Sequence, residues 1–475
     1  MGSIAETLGQ FIDAALTRLA HLEVRVWSRT RPTRHHMADV HEMARHVAGG
    51  LRKRGVGPGD VVAFQMPNCV EAAALFYGTA LLGAAVVPIV HFYGAKEVGF
   101  IEGDAQPALF LSQDDAGELA AGDDVLGEPL PTDPDGMALI AYTSGTTANP
   151  KGVIHTHRSI VSEVLQLSAN QPKDPRPLLV GAPVGHAIGM LSGLLIPLVK
   201  ERGVHLIDKW DPTHVLEAMV EGDLTAGSGS TFFLTSLLDA PEFGAEHLAR
   251  MKFVGLGGSP VPAAVAERAT ALGISITRAY GSTEHPSTTG SQHEFPLEKR
   301  LYTDGKPLPG VELRLADDGE ILSRGPDLFA GYTDKELTAE AVDAEGWYHS
   351  GDIGVLDDEG FLTITDRKKD VISRGGEKVS AVEVEEIIVR LPGVAEVAVV
   401  AAPDERMGEH GAAFFRMHPG ASAPSLDDMR AALEDAGLAR QKWPEEVHGI
   451  DGDFPRTPSG KIRKVDLRAQ LRERG

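Results

Sequence analysis

Short apolar runs, each about the length of a β-strand, alternate with longer helical stretches through the first three quarters of the chain. The strand-like runs are DVVAFQM, AAVVPIV, ALFLS, RPLLVGAP, GVHLI, KFVGLGG and ISITRAYG. Runs of this kind, separated by helices, are typical of parallel strands that helices cover on both faces. The pattern therefore predicts an α/β fold of layered, largely parallel sheets.

The pattern changes after Gly310, where short strands and turn signals replace the alternation. The segments VELRLADDGEILSRG and IGVLDDEGFLTITDR each predict a β-hairpin, with the turn at DDG or DEG. We expect a small β subdomain here, followed from about Asp370 by a compact α+β unit. The predicted elements of that unit are helix AVEVEEIIVRL, strands AEVAVVAAP and AAFFRMH, helix SLDDMRAALEDAG and a closing basic helix after Lys461.

One apolar stretch is long enough to suggest a transmembrane helix, because no Asp, Glu, Lys or Arg occurs from Ala72 to Ala95. It is rich in alanine and interrupted by Gly78, Gly83 and Pro88, so we predict a helix over EAAALFYGTALLG, a buried strand over AAVVPIV and no integral membrane segment. The amino terminus lacks a basic region leading into an apolar one, and we expect a cytoplasmic protein. Residues 114–136, acidic and rich in Gly and Pro, are predicted to be a surface connection.

Composition narrows the function classes. The chain has 475 residues, a formal net charge of -23 and a pI of about 5.2. A global attraction to nucleic acid or anionic lipid is therefore not expected. The single cysteine, Cys69, excludes intrachain disulfides and cysteine-rich zinc sites, and we predict that it is a buried small apolar residue.

Three segments resemble known motifs but lack features that those motifs require. The histidines of HEMARH, His41 and His46, are five residues apart, whereas a zinc-binding helix needs four to bring them to one face. GLGGSP, residues 255–260, lacks the third glycine and following helix start of a dinucleotide-binding turn and is predicted to be a tight turn at a strand end. The basic cluster RTRPTRHH, near residues 29–36, is predicted to be solvated surface.

The stretch AYTSGTTANPKGV, residues 141–153, has the composition of a phosphate-binding loop. A Walker A loop needs two glycines with four residues between them before its lysine, but Gly145 precedes Lys151 by six and Gly152 follows it. A P-loop kinase or GTPase is thus disfavoured. The loop still offers backbone N–H groups, a mobile cation and the hydroxyls of Thr143, Ser144, Thr146 and Thr147. Taken alone, it is either a clamp for triphosphate oxygens or a Ser/Thr-rich surface turn.

Six further motifs accompany this loop. They are PVGHAIG (183–189), GGSP (257–260), YGSTE (280–284), YHSGD (348–352), DRKKD (366–370) and PRTPSGK (455–461). Together with YTSGTTANPKGV, in this order, the chain resembles the adenylate-forming superfamily, which includes acyl-CoA synthetases, peptide-synthetase adenylation domains and firefly luciferase. Ala148 stands where that family usually has glycine, and Ser350 where it usually has threonine.

The resemblance implies a role for each motif residue. Glu284 is expected to contact Mg²⁺ together with Thr146, since a hard cation takes oxygen ligands. Asp352 is expected at the ribose with Arg367 assisting, and Lys461 and Lys151 are expected to stabilise charge at the phosphates. The expected ATP and AMP contacts are Thr143, Ser144, Gly145, Thr146, Thr147, Lys151, Gly257, Gly258, Ser259, Tyr280 at the adenine, Gly281, Ser282, Thr283 at the α-phosphate, Asp352 and Arg367.

The resemblance also implies an acyl pocket, a hinge and a channel for CoA. His186 is expected to gate the acyl pocket beside Gly258 and Gly281, although it could equally be a core histidine. A carboxy-terminal domain (370–475) is expected to rotate about Lys369, within a hinge at 367–369, relative to an amino-terminal AMP-binding domain (1–366) whose β-rich part spans about 310–366. After that rotation Gly375 and Gly376 would line the CoA channel, or they could form a plain β-turn.

The implied activity is ATP-dependent ligation of a carboxylic acid to CoA, with Mg²⁺ as cofactor and a fatty, alicyclic or aryl acid as substrate. An acyl-AMP ligase that loads a separate carrier protein is an alternative within the same class. A non-catalytic adenylate-binding protein is an alternative from another class, which the presence of Glu284, Asp352 and Lys461 disfavours. No nucleic-acid partner is expected, and the sequence leaves the oligomeric state open, a homodimer included.

Overall fold

The protein was analysed as a computed structural model, which describes residues 7–143, 150–172, 174–456 and 461–474. Its first elements form the frame of the amino-terminal domain. In chain order they are α1 (Leu8–Arg18), β1 (Glu23–Trp27), β2 (Thr33–His36), α2 (Met37–Lys53), β3 (Val61–Gln65), α3 (Val70–Leu81), β4 (Ala85–Ile89), α4 (Ala95–Ala105), β5 (Leu109–Leu111), α5 (Gln113–Ala120), β6 (Met137–Tyr142), β7 (Gly152–Thr156) and α6 (His157–Asn170).

The second group of elements completes the α/β layers. It consists of β8 (Leu179–Val180), α7 (Ala187–Met190), a π-helical turn (Leu191–Leu195), α8 (Ile196–Lys200), β9 (Val204–Ile207), α9 (Pro212–Gly222), α10 (Thr231–Leu238), α11 (Ala245–Leu248), β10 (Phe253–Gly257), α12 (Ala263–Ala271), β11 (Ser275–Tyr280), β12 (Thr289–Gly290), α13 (Leu297–Tyr302) and β13 (Lys306–Pro307).

The remaining elements form the β-rich part and the carboxy-terminal domain. They are β14 (Glu312–Leu315), β15 (Glu320–Arg324), β16 (Gly331–Tyr332), α14 (Lys335–Ala341), β17 (Tyr348–Leu356), β18 (Leu362–Arg367), β19 (Ile372–Arg374), β20 (Glu377–Val379), α15 (Ala381–Ile388), β21 (Val394–Asp404), β22 (Gly408–Met417), α16 (Leu426–Asp435), a 3-10 turn (Arg440–Lys442), β23 (Glu446–Gly449) and α17 (Lys464–Arg474).

The predicted parallel pairing is confirmed at the centre of the sheets. A six-stranded sheet has the order β16-β7-β6-β4-β3-β5. The pairs β4/β6, β3/β4 and β3/β5 are parallel, whereas the pairs β6/β7 and β7/β16 are antiparallel. Two four-stranded sheets, β2-β1-β9-β8 and β10-β11-β12-β13, also contain parallel pairs. The predicted hairpins form a further sheet, β14-β15-β17-β18.

The carboxy-terminal unit has the predicted α+β character. Its sheet has the order β20-β19-β22-β21, with β23 parallel to β22. Residues of α15 and α16 pack in one apolar cluster with this sheet, and Leu467 and Leu471 of α17 pack in a second. The chain is therefore a large α/β domain followed by a smaller α+β domain, each with its own buried core.

The apolar stretch from Ala72 forms α3 and β4, as predicted, and both are buried. In the described residues, no helix combines the length and apolar character needed to cross a membrane. Cys69 is buried at the start of α3, and burial raises the pKa of its thiol to about 12. The prediction that Cys69 is a buried small apolar residue is confirmed.

The prediction for residues 114–136 is partly wrong, because the segment begins with helix α5 rather than an open connection. Ser112 and Asp115 form a reciprocal capping box, in which the Asp115 N–H donates to the Ser112 hydroxyl at 3.2 Å. Ala116 and Leu119 are buried against the main core. The acidic composition concealed a capped, amphipathic helix.

The three segments that resemble other motifs lie in or next to regular secondary structure. His41 lies 2.7 Å from an Asp13 oxygen as part of α2 packing, and the part of the chain that is described contains no group of His, Cys, Asp or Glu arranged for a metal. The GLGGSP segment is the end of β10 and its turn. The basic cluster includes the short edge strand β2, where Arg34 pairs with Glu23 across the strands.

Candidate active site

The YGSTE segment forms a tight loop directly after β11. A Cβ at Gly281 would lie 1.9 Å from the Pro286 carbonyl oxygen, so only glycine fits there. The Glu284 carbonyl accepts a hydrogen bond from the Phe329 N–H at 2.8 Å, and the Thr283 carbonyl lies 2.7 Å from His155 Nε2. These contacts fix the two residues that were expected at the metal and the α-phosphate.

Glu284 is buried, and its carboxylate is oriented by an aromatic hydroxyl. The Tyr332 hydroxyl donates to Glu284 Oε1 at 2.7 Å. Burial, together with the Glu284 charge, holds the pKa of Tyr332 well above its usual range, so this hydroxyl stays a donor. Tyr348 is also buried close to Glu284, and burial and that charge raise its pKa as well.

A second acidic site lies where the ends of β11 and β18 meet the middle of β17. Asp352 Oδ2 accepts a hydrogen bond from the Tyr280 hydroxyl at 2.9 Å, and Arg367 Nε lies 3.1 Å from Asp352 Oδ1. Asp352 and Arg367 are directly paired across β17 and β18. Burial opposes the charged form of Arg367, but Asp352 and Asp370 outweigh it and raise the pKa of the guanidinium. The residues expected at the ribose and the adenine are thus in contact.

Lys461 reaches the same region from the carboxy-terminal domain. Burial and, to a smaller extent, Arg367 lower the pKa of its ammonium to about 8, although Asp352 and Glu284 act in the opposite direction. Lys461 is therefore within electrostatic range of three other residues that were expected at the nucleotide. The residues 457–460 that precede Lys461 in the PRTPSGK motif lie outside the described residues.

His186 lies within electrostatic range of Lys461. Its Nδ1 accepts a hydrogen bond from the Ile188 N–H at 3.3 Å at the start of α7. Burial and the nearby Lys461 ammonium lower the pKa of the imidazole to about 4, so the ring is neutral at neutral pH. Whether His186 gates an acyl pocket stays a prediction.

The glycine turn after β10 comes close to the same helix start. Gly258 has φ +72°, and a Cβ added to it would lie 2.5 Å from Ile188 Cδ1. A Cβ at Gly257 would lie 2.8 Å from the Ala279 carbonyl oxygen. The Thr231 N–H donates to the Ser259 hydroxyl at 3.5 Å. The turn therefore lies against the segment that carries His186. That the two form one wall of an acyl pocket stays a prediction.

Only the two ends of the predicted phosphate loop are described. The Thr143 N–H donates to the Lys151 carbonyl at 3.0 Å, and the Lys151 N–H donates to the Thr143 hydroxyl at 3.2 Å, which closes the base of the loop. Lys151 Nζ lies 5.1 Å from the Tyr332 ring centre, within cation–π range, and so near Glu284. Ser144, Gly145, Thr146, Thr147 and Ala148 lie outside the described residues.

The predicted hinge and channel residues are placed as follows. The Lys369 carbonyl accepts a hydrogen bond from Arg468 of α17 at 3.3 Å, and burial, then Arg367, lowers the pKa of the Lys369 ammonium. Gly375 and Gly376, with φ +59° and +90°, form the turn between β19 and β20. The Gly375 N–H donates to the Met407 carbonyl at 2.7 Å. In this conformation the glycine turn contacts Met407, and it is Lys461, not this turn, that lies within electrostatic range of Asp352.

The sequence analysis missed a buried polar network behind the YGSTE loop. The Ser287 hydroxyl donates to Glu163 Oε1 at 2.6 Å, and His285 Nε2 lies 3.2 Å from Asp327 Oδ2. Glu163, His285 and Asp327 are fully buried, and burial and the Asp327 charge raise the pKa of Glu163 well above its usual range. Glu163 lies on a buried face of α6 that mixes apolar residues with Ser159 and Gln166, so no apolar pattern marked it in the sequence.

Comparisons with known proteins agree with this geometry. A family model described as AMP-binding enzyme matches residues 22–333, and one described as the C-terminal domain of AMP-binding enzymes matches residues 383–461. The medium-chain fatty-acid–CoA ligase of Escherichia coli (strain K12) is 32% identical, with 90% of this chain and 84% of that protein covered. The long-chain-fatty-acid–CoA ligase FadD13 of Mycobacterium tuberculosis is 34% identical, with 91% and 92% covered.

Among solved structures, ATP-bound MatB from Rhodopseudomonas palustris superimposes with a TM-score of 0.87 at 27% identity, covering 97% of this chain and 99% of that one. The similarity thus extends over both domains. The first family model alone spans more than half of the chain, and both curated relatives exceed 30% identity over nine tenths of it. The chain belongs to the family of AMP-binding enzymes, within the adenylate-forming superfamily.

Proposed function

We propose that this protein is an AMP-forming acid–CoA ligase, which activates a carboxylic acid with ATP and transfers the acyl group to CoA. One observation carries the proposal: Lys461 of the carboxy-terminal domain lies within electrostatic range of Asp352 and Glu284 of the amino-terminal domain and of Arg367 at the hinge. Cations and oxygen acceptors in this arrangement suit a nucleotide whose α-phosphate is attacked. The curated relatives named above, a medium-chain and a long-chain fatty-acid–CoA ligase, support the same reaction class.

In the first proposed step a carboxylate oxygen attacks the α-phosphorus of ATP. A new O–P bond forms, the bond from the α-phosphorus to the bridging oxygen breaks, and pyrophosphate leaves. A carboxylic acid with a pKa of about 4 is already ionised at neutral pH, so no general base is needed. Lys461 and Lys151 stabilise the developing charge, Thr283 lies at the α-phosphate, and Asp352 accepts hydrogen bonds from the ribose with Arg367 beside it.

The donor set fits Mg²⁺ as the cofactor. Mg²⁺ takes one or two carboxylates and otherwise substrate phosphates and water, and Glu284 is a single buried carboxylate beside the Lys151 end of the phosphate loop. When bound, Mg²⁺ neutralises the charge on the phosphates. Glu284 would hold it together with Thr146, and Tyr332 orients the Glu284 carboxylate for that purpose.

In the second proposed step the sulfur of CoA attacks the acyl carbon, and AMP leaves with the electron pair of the C–O bond. A thiol with a pKa of about 8.5 is already partly ionised, so a strong base is again unnecessary. We place the rotation that exchanges the two steps at Lys369, in a hinge at 367–369 between residues 1–366 and 370–475. Gly375 and Gly376 would then approach the site and leave room for a narrow channel.

The acyl pocket favours an uncharged acyl group. His186 is neutral at neutral pH, and the apolar side chain of Ile188 packs over Gly258. Both features suit a fatty, alicyclic or aryl acid, whereas an amino acid needs a counter-charge for its ammonium group.

An acid panel tests the proposal. The purified protein is incubated with ATP, Mg²⁺ and each of a set of fatty, alicyclic and aryl acids, with CoA present or absent, and products are identified by mass. We expect acid-dependent pyrophosphate release and an acyl-CoA product. Acyl-AMP that accumulates despite CoA, but is consumed by a phosphopantetheinyl carrier protein, would favour the carrier-loading alternative. ATP binding without pyrophosphate release for any acid would contradict an enzyme.

A further inference from the structure

Two polar contacts join α15 of the carboxy-terminal domain to α12 of the amino-terminal domain. Both carboxylate oxygens of Glu386 accept from the Ala263 N–H, at 3.1 and 3.3 Å. Four residues later, just beyond the end of α15, Arg390 makes a two-pronged ion pair with Glu267 at 2.9 and 3.0 Å. We call these two contacts the α12 latch.

The first contact satisfies a group that α12 itself cannot. Ala263 is the first residue of α12, so its N–H has no acceptor inside the helix, and the amino-terminal end of a helix favours a negative charge. Ala263 is buried, and its partner Glu386 is buried enough to raise the pKa of the carboxyl group, while the Ala263 N–H, Arg278 and Arg390 partly offset that cost. If α15 moves away, this N–H must find water instead.

The second contact joins three elements. Glu267 of α12 accepts from both terminal nitrogens of Arg390 and also from the Tyr302 hydroxyl of α13 at 2.8 Å. The two-pronged geometry gives this pair a direction that a single lysine contact would lack. Arg390 is 48% exposed, so solvent and salt weaken the pair and it can break within a catalytic cycle.

We infer that Glu386 and Arg390 are positioning residues, which dock the carboxy-terminal domain on α12 in the orientation that brings Lys461 to the nucleotide. The inference rests on the proposed function, because it assigns the latch to the adenylation step alone. The latch is absent by necessity once α15 rotates, so the thioester step does not depend on it. α12 follows the 257–260 turn, so the latch also links domain docking to the wall of the acyl pocket.

Separate half-reactions test the latch. Arg390→Glu and Glu267→Arg are compared with wild type in single-turnover pyrophosphate release, and in consumption of purified acyl-AMP by CoA. Each single variant should slow adenylation by about fivefold or more, because the lost ion pair and the new like-charge repulsion disfavour the docked orientation. The rate of the thioester step should stay within about twofold of wild type. The charge-swapped double variant should recover most of the loss.

Two controls separate docking from general damage. Arg430→Glu reverses a similarly exposed charge on α16, which pairs only within its own helix in the described contacts, and should change neither half-reaction. Glu386→Gln, which keeps an acceptor for Ala263, should be milder than Glu386→Ala. Equal losses in both half-reactions, or a double variant no better than the single ones, would overturn the latch.

A distance measurement tests the latch without activity. The native Cys69 is buried with a raised thiol pKa, so spin labels can be directed to cysteines introduced at the exposed positions Leu272 and Asp427. Arg390→Glu should broaden or shift the distance distribution between these labels, and the charge swap should restore it. An unchanged distribution would contradict the latch even if the protein proved to have a different activity.

Discussion

The two sides of the candidate site are held in place in different ways. Tyr280, Asp352 and Arg367 lie on strands of the amino-terminal part of the chain, where they are bonded to one another. Lys461 lies just before α17 and approaches these residues from the other domain. Next to it, Ile462 forms an isolated antiparallel β-bridge with Arg456. The nucleotide side is thus fixed by the fold, whereas the lysine side depends on how the domains are docked.

Because of this difference, we expect substitutions on the two sides to affect the two half-reactions differently. In the proposed reaction, a group of the fixed side would contact the nucleotide in both ATP and acyl-AMP. A group of the docked side would be present for one half-reaction only. The comparison can be broken at single residues.

The largest effect is expected from Lys461→Ala. Removing one preorganised cation from the transition state should slow adenylation by about 10²–10³-fold. Consumption of supplied acyl-AMP by CoA should stay within about twofold of wild type, because Lys461 is then away from the site. Both rates are measured by rapid quench. Lys464→Ala cannot serve as the control, because Lys464 forms an ion pair with Glu385 inside the carboxy-terminal domain. A similar loss in both half-reactions would contradict the contrast between the two sides.

The next effect is expected from Asp352→Ala, which removes a carboxylate of the fixed side. Arg367 and the Tyr280 hydroxyl would lose their partner, and the ribose would lose an acceptor. Both half-reactions should fall by about 10–100-fold, corresponding to one or two buried polar contacts. The measurement is kcat/KM for ATP in the first step and for acyl-AMP in the second. Loss confined to one step would place Asp352 on the docked side.

Gly376→Trp tests the docked side from the opposite direction. In this conformation an added Cβ meets no described atom within 4 Å, so adenylation should change little. The thioester step should fall by about tenfold or more if the turn lines a narrow CoA channel, because steric misplacement of a thiol is costly. Gly360→Trp, in another turn with positive φ and no described atom near its Cβ, is the matched control. An intact thioester step would remove Gly375 and Gly376 from the channel.

The smallest effect is expected from pH. The pKa of Lys461 is lowered from its ordinary value to about 8, so the lysine is charged below that pH and neutral above it. kcat/KM for ATP in the adenylation step should therefore decline above pH 8, by at most about tenfold per pH unit. The thioester step should lack this decline, since ionisation of the CoA thiol favours it at higher pH. Parallel profiles for the two steps would assign the decline to another group.

Features that depend on residues close together in the sequence could be predicted, whereas contacts between distant residues could not. The strand runs, the hairpins and the order of the motifs are local, and the structure confirms the fold class and each predicted strand. Helix α5 was missed because its capping box lies inside an acidic, glycine-containing segment. The hairpin of β17 and β18 was predicted, but the pairing of Asp352 with Arg367 was not, because a register shift between Ile353 and Gly354 decides which residues are opposite each other there.

Longer-range contacts gave no signal in the sequence. Glu163 and Ser287 are 124 positions apart, and Arg390 and Glu267 are 123 apart. Tyr332, which orients Glu284, stands in a short strand that no spacing rule connects to YGSTE. Such pairs depend on how sheets and domains pack, which a single sequence does not encode in any local pattern.

The hydrogen bond from Tyr332 to Glu284 has a consequence for ion selectivity. With Oε1 engaged by the phenol, the carboxylate presents its other oxygen, which favours coordination through one atom rather than two. Ca²⁺ draws on two-oxygen carboxylates to fill six to eight positions, whereas the smaller Mg²⁺ takes six ligands at short distances and retains water. Tyr332 thus biases the proposed metal position toward Mg²⁺, and Tyr332→Phe should narrow the preference for Mg²⁺ over Ca²⁺.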